Sequence, residues 1–248
     1  MRKMGCFTSR NLKELIRDPL SVFFGVAFPI VLLLLLSLIN QNIPQQAEMN
    51  LFEISQLAPG VAVFSLSFIA LFSATLISKD RTSSFILRLY ISPLTGTDFI
   101  LGYILPLIPM AIAQMLVCFA VAIPLGLEIS LNILLCIAVS LPIMVVDISI
   151  GLLCGTLLSE KAVGGACGAL LTNVSAWLSG TWFSLDMVGG AFKSVAYVLP
   201  FANAVDAGRA ALKGDYADIL PRLWIVAAWA VVLLIVAIVV FSKRMKQK

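Results

Sequence analysis

The chain contains no histidine, which removes the commonest general base and metal ligand at once. Charge is scarce: Asp, Glu, Lys and Arg make up 12% of 248 residues, where soluble domains carry about 25%. No G-x-x-x-x-G-K-[ST] pattern occurs, and Gly164-Gly165 is followed by no suitable lysine. ATP phosphates therefore cannot be cradled by a P-loop of this chain. The cysteines Cys6, Cys118, Cys136, Cys154 and Cys167 have no C-x-x-C spacing. Four of them lie in apolar runs, where a thiol behaves as a small packing residue. With one acid deep in those runs and no histidine, a membrane enzyme lacks convergent catalytic groups.

What is abundant is apolar surface. Hydrophobic residues make up 60% of the chain and the mean hydropathy is +1.04, a composition that belongs in a bilayer. Six runs reach spanning length: Leu20–Ile39, Leu57–Ser78, Phe99–Pro124, Leu131–Leu158, Ala162–Phe183 and Leu223–Phe241. In hydrocarbon every backbone N–H and C=O must be paired internally, so runs this long are expected to be helices. The alternating ten-residue pattern of a membrane barrel is absent. The fold class expected is an all-α integral membrane protein, a single transmembrane domain over residues 1–248. The N-terminus does not read as a cleavable signal peptide, because its basic region is long and no small-residue cleavage site follows the first run. That first span is expected to be retained.

Basic residues set the orientation. The N-terminal segment, the second loop, the fourth loop and the tail carry thirteen Lys and Arg. The first and third loops carry none, and the connection Ser184–Arg222 carries four. The positive-inside rule then places both termini in the cytoplasm of a plasma (inner) membrane protein, in agreement with an even number of spans. The net charge of +4 reflects where the basic residues sit and does not indicate nucleic acid; membrane lipid is an expected partner of a bilayer protein.

Two amphipathic segments lie on the basic side. In Arg10–Leu20, Leu12, Leu15 and Ile16 share one face and Arg10, Lys13 and Arg17 the other, with Pro19 breaking the chain direction. This predicts a cytoplasmic elbow helix in the membrane interface within residues 1–19. In the second loop, residues 79–98, Phe85, Ile86 and Leu89 form one face of a short helix, Arg88 points elsewhere, and Pro93 ends it. That helix either rests in the headgroups or docks a cytoplasmic partner. On the outer side, residues 184–222 are too apolar for a solvated loop. Pro200 divides them, so short re-entrant or interfacial helices are expected there.

Asp147 is the one carboxylate deep within a span, and an intramembrane acid is a functional hypothesis by default. It either faces a cavity, meets a cationic substrate group or carries a proton, or it packs protonated or hydrogen-bonded to Ser149 or a neighbouring helix. Asn173, Ser175, Trp177 and Ser179 make the fifth span polar, as a translocation path or as interhelical hydrogen bonding. Gly151 and Gly155, and Gly164 and Gly168, are four apart. That spacing suits close helix packing within the subunit or a dimer contact. The stretch "DAGRAALKGDYAD" resembles the motif of membrane phosphatidyl-alcohol transferases, but the first of the paired aspartates that would hold metal is missing.

The order of these pieces resembles the type-2 ABC exporter permease family, which moves drugs, antibiotics, lipids and polysaccharides. In the second loop the resemblance rests on Lys79-Asp80-Arg81, Thr82-Ser83, Leu87, Leu89 and Ser92-Pro93-Leu94. Lys79 or Asp80 replaces the family's usual Glu, and Ser83 its Gly. Later it rests on Ser179-Gly180, Phe183, Leu199-Pro200, Arg209 and Gly214, with Ser184 in place of the usual Pro. The resemblance implies a partner ATPase that holds ATP and magnesium, while this chain binds no cofactor, and a second permease subunit in a homo- or heterodimer. It also implies that the helix bearing Phe85, Ile86, Arg88, Leu89 and Tyr90 is a coupling helix seated in a cleft of that ATPase. The alternative class is an ion- or proton-coupled secondary transporter that uses Asp147.

Overall fold

The computed structural model of the protein describes residues 2–42, 53–83 and 95–246. Among the described residues every regular element is helical. Helix α1 (Arg2–Arg17) stops where Asp18 caps the next helix, its carboxylate accepting from Ser21 N and Ser21 Oγ at 3.0 and 2.8 Å. Pro19 occupies the first turn of that next helix, where its missing N–H costs nothing. Helix α2 (Pro19–Asn42) is α-helical except for a π-helical turn over Phe23–Ala27. Pro29 cannot donate to the carbonyl four residues back, and the wider turn lies just ahead of it.

Helix α3 (Ile54–Thr82) is the axis of the subunit. In its most apolar window 89% of residues are buried, against 22% for α2. Helix α4 (Thr97–Ala122) starts from a capping box, in which Asp98 N donates to Thr95 Oγ1 and Thr95 N to the Asp98 carboxylate. Helix α5 (Asn132–Leu157) is interrupted at Ser140, just ahead of Pro142. Helix α6 follows over residues 160–178 in three pieces: Glu160–Val163, a π-helical Gly164–Leu171 and Thr172–Leu178. Three shorter helices, α7 (Leu185–Val188), α8 (Gly190–Val198) and α9 (Pro200–Lys213), lead to α10 (Tyr216–Lys246).

Five of these helices, α2, α3, α4, α5 and α10, are long and apolar enough to cross a membrane. The fifth expected span, Ala162–Phe183, forms helix α6, but Lys161, Asn173 and two adjacent glycines make it more polar than the other five. The break expected at Pro200 falls there, between α8 and α9.

The amphipathic expectation for the N-terminus needs one correction. The helix runs Arg2–Arg17. Its buried stripe is Phe7, Asn11 and Leu15, while Ile16 is 60% exposed. The reason is a close partner. Helix α4 offers Gly102, and a Cβ built there would lie 2.1 Å from the Phe7 ring, so the aromatic ring occupies the space a side chain would need. Asn11 Nδ2 donates to Gly102 O at 2.9 Å, and Phe7 meets Phe99 and Tyr103 edge-on.

Candidate functional site

The residues expected to dock a partner, Phe85, Ile86, Arg88, Leu89 and Tyr90, lie outside the described residues. The structure does describe the two helices that deliver them, α3 as far as Ser83 and α4 from Thr95. Both are tied to one carboxylate. Asp80, with a side chain 3% exposed, accepts from Arg10 Nη1 at 2.8 Å, Arg10 Nη2 at 2.9 Å and the Tyr103 hydroxyl at 2.9 Å. Arg10 is held in turn by Asn11 Oδ1 at 2.8 Å and Glu14 at 2.6 Å. A fork of guanidinium donors matches a carboxylate in two places and fixes orientation as well as distance. The next residue, Arg81, donates from Nη1 to Gly155 O at 2.7 Å and Leu158 O at 3.1 Å, covering carbonyls at the end of α5 that have no helical partner. The α1–α3–α4 junction thus fixes both ends of the 84–94 segment and joins them to α5.

A second polar feature lies deep in the core. Helix α5 packs on α3 through Gly151 and Gly155, where an added Cβ would come within 2.6 Å of Ala70 O and 2.8 Å of Ala74 O. This spacing serves contact within the subunit. Gly164, by contrast, has nothing within 4 Å of its missing side chain. One turn before Gly151 stands Asp147, 1% exposed, and its Oδ1 has no hydrogen-bond partner among the described residues. Ser149 donates to Val145 O at 2.6 Å, so the hydroxyl suggested as a partner is engaged elsewhere. A buried carboxyl oxygen without a donor gains nothing that would offset the loss of water, and no salt bridge to Asp147 is found among the described residues. Asp147→Leu is expected to leave the thermal midpoint of the solubilised protein unchanged or raised, because no ion pair is broken. A marked drop would reveal a counter-charge.

The four polar residues of the fifth expected span separate. Ser175 and Ser179 are buried, the latter within 2.8 Å of Thr181 Oγ1. Asn173 and Trp177, one turn apart, lie on the exposed side of α6, with Trp177 60% exposed. They therefore do not form one lining.

The third polar cluster knots the opposite end. Asp206 Oδ2 accepts from the Tyr197 hydroxyl at 2.8 Å and Arg222 Nη1 at 2.6 Å, and Oδ1 lies 3.5 Å from Arg209 Nη1. Arg209 also donates to Gly180 O at 3.0 Å and Gln56 O at 3.2 Å. Burial lowers the Arg209 pKa, and the Asp206 charge opposes that shift. Burial, with Asp206 adding to it, holds the Tyr197 hydroxyl above its ordinary value. The Tyr197 contribution to stability is therefore full at neutral pH and is lost as pH rises through the raised folded value. The parent protein minus Tyr197→Phe should show a phenolate absorbance difference titrating later than free tyrosine. An ordinary midpoint would mean that the hydroxyl is not held by Asp206.

The comparisons with known proteins meet this geometry at one place. A family model described as "ABC-2 type transporter" matches residues 3–212, a stretch that takes in α1, the Asp80 junction, the α3–α5 contact and α9. The chain belongs to the ABC-2 type transporter family. It is a permease subunit of an ABC transporter, and the family implies association with an ATP-binding subunit. A search of curated proteins returned no match.

Sequence reading of the permease missed the partners of Asp80. The acid was visible at the end of a span, flanked by Lys79 and Arg81, but Arg10 is 70 positions away and Tyr103 is 23. No local period connects them. For Arg209 the signal was its place in the late family series, which gave no hint that its donors reach two backbone carbonyls.

Proposed function

We propose that the permease exports an amphipathic or hydrophobic cargo, a drug, antibiotic, peptide or lipid-like molecule, out of the cytoplasm or inner leaflet. In this reading the run 160–178 also crosses, as the fifth of six spans, and both termini face the cytoplasm. The 84–94 segment is the coupling element gripped by the ATPase, where ATP and magnesium reside. A second permease subunit completes the transporter. The observation that carries this reading is the double anchoring at Asp80: the chain enters the segment from α3 and leaves it into α4, and one carboxylate bonds residues of α1 and α4 from its place on α3. A nucleotide-driven partner can shift the permease only through contacts that differ between states. A segment mounted this way passes such contacts directly to the central helix.

Phe85→Asp and Leu89→Asp are expected to abolish permease-stimulated ATP hydrolysis by the partner in proteoliposomes, with the elution profile and helicity of the permease unchanged. Undiminished stimulation in both variants would refute the coupling assignment.

The buried Asp147, whose Oδ1 has no hydrogen-bond partner among the described residues, supports a second reading, a proton-coupled transporter. Uptake driven by a pH gradient without ATPase, lost in Asp147→Asn, would establish it. Export that requires ATP and survives Asp147→Asn would dismiss it.

A further inference from the structure

Between α1, the first turns of α2 and the middle of α4 lies an apolar groove of about 450 Å³, within the roughly 300–1,000 Å³ of pockets that hold small ligands. Ile16, Val22, Val26, Met110, Ala113 and Val117 are among its walls. Gly25 is part of the wall, where a Cβ would sit at ordinary contact distance, 3.6 Å, from Met110 and the Phe72 ring. The groove is open laterally: Ile16 is 60% exposed and Val26 40%. Gln114 also forms part of the wall, its Nε2 committed to Ser65 O at 2.7 Å.

The neighbouring face of α1 is cationic. A shallow cavity of about 840 Å³ there is lined by Arg10, Lys13, Arg17 and Lys79, together with Glu14 and Asp18. Arg10 is taken by Asp80 and Glu14, and Lys79 lies 3.8 Å from Asp18. Lys13 and Arg17 are exposed and, among the described residues, have no carboxylate partner. Lys13 and Ile16 are three apart on α1, so the charged edge adjoins the apolar one.

We propose that groove and edge together form a site for one acidic phospholipid, its phosphate on Lys13 and Arg17 and one acyl chain in the groove. The proposal rests on the reading that α1 lies at the cytoplasmic face of the membrane. Charge complementarity selects the occupant. A zwitterionic lipid offers the same chain but brings a cation of its own towards two cations. Two basic residues near an anionic headgroup are worth roughly a tenfold preference or more.

The test is native mass spectrometry of the detergent-purified permease titrated with palmitoyl-oleoyl phosphatidylglycerol or the matching phosphatidylcholine. The first phosphatidylglycerol should bind roughly tenfold more tightly. Lys13→Gln/Arg17→Gln should bring that affinity down to the phosphatidylcholine level, and dihexanoyl phosphatidylglycerol, with its short chains, should not be retained. Ala113→Trp should fill the groove and lose the tight site for either headgroup. Should it fail to fold, Val26→Trp at a 40% exposed position makes the same test. Equal affinity for the two headgroups, or a preference that survives the double Gln substitution, overturns the proposal. Undiminished binding in the Trp variant removes the acyl chain from the groove and also overturns it. No ATPase or cargo enters the readout, so this failure is distinguishable from failure of the export reading.

Discussion

Gly151→Leu is expected to leave no monodisperse, folded permease. The argument is one of distance. A Cβ at this position would lie 2.6 Å from both Ala70 O and Ser73 Cβ and 3.0 Å from Ala70 Cα. Two of those three atoms are backbone of the central helix, so no side-chain rotation relieves the overlap. The helices must part, and α3 has nowhere to go because 89% of its apolar window is already enclosed. Overpacking of an ordinary core by even small groups costs about 1–3 kcal/mol, so Gly151→Ala should lower the thermal midpoint clearly and leucine should exceed what the fold can bear. Gly155→Ala, with Ala74 O at 2.8 Å and Ile77 Cβ at 2.9 Å, should behave like Gly151→Ala. Gly164→Ala, with nothing within 4 Å, is the control within the subunit. Size-exclusion profiles after stepwise heating read all four variants. An unchanged midpoint for Gly151→Ala would mean that α3 and α5 are further apart than described.

The second large effect is expected at Arg10. Arg10→Ala removes both guanidinium bonds from a carboxylate that is 3% exposed and leaves it the Tyr103 hydroxyl. Breaking a buried pair by removing one partner costs about 3–5 kcal/mol when both are enclosed. Arg10 is 34% exposed, so water can enter and the loss should be about 2–3 kcal/mol. Asp80→Asn should cost less, because an amide tolerates burial better than an unpaired anion. The double variant Arg10→Ala/Asp80→Asn should be more stable than the sum of its parts, with a coupling of at least about 1 kcal/mol in a double-mutant cycle. Strict additivity would show that the two groups do not share an interaction. Under the export reading, Arg10→Ala should also reduce stimulation of the partner ATPase, since it loosens the mount of the segment the ATPase grips.

The fold class could be read from residues because hydropathy acts over whole helices. Five of the expected spans fall on helices long and apolar enough to cross a membrane, and Pro200 marked a real break. The hydrogen-bonding clusters were illegible for the opposite reason. Asp80 and Arg10, or Arg209 and the carbonyl of Gln56, come together only once the helices have packed, and nothing in their neighbours' pattern announces the partner. The N-terminal helix shows the same limit at finer scale. Its period was correct, but which apolar stripe turned inward depended on Gly102 of another helix leaving room for a ring. Asn173, Ser175, Trp177 and Ser179 were grouped by polarity, whereas the helix divides them by angle, and angle decides what each can touch.

The central helix has a mechanical consequence. Helix α3 contains 29 residues, roughly 44 Å at about 1.5 Å per residue, and it runs without interruption from Ile54 to Thr82. Its N-terminal end is gripped by Arg209 through Gln56 O and crowded by Thr181, 3.0 Å from a Cβ built on Gly60. A displacement applied at Ser83 is therefore carried along one continuous helix towards the Asp206 knot, with Pro59, which has no N–H to offer Ser55 O, as the softer point just short of the Arg209 grip.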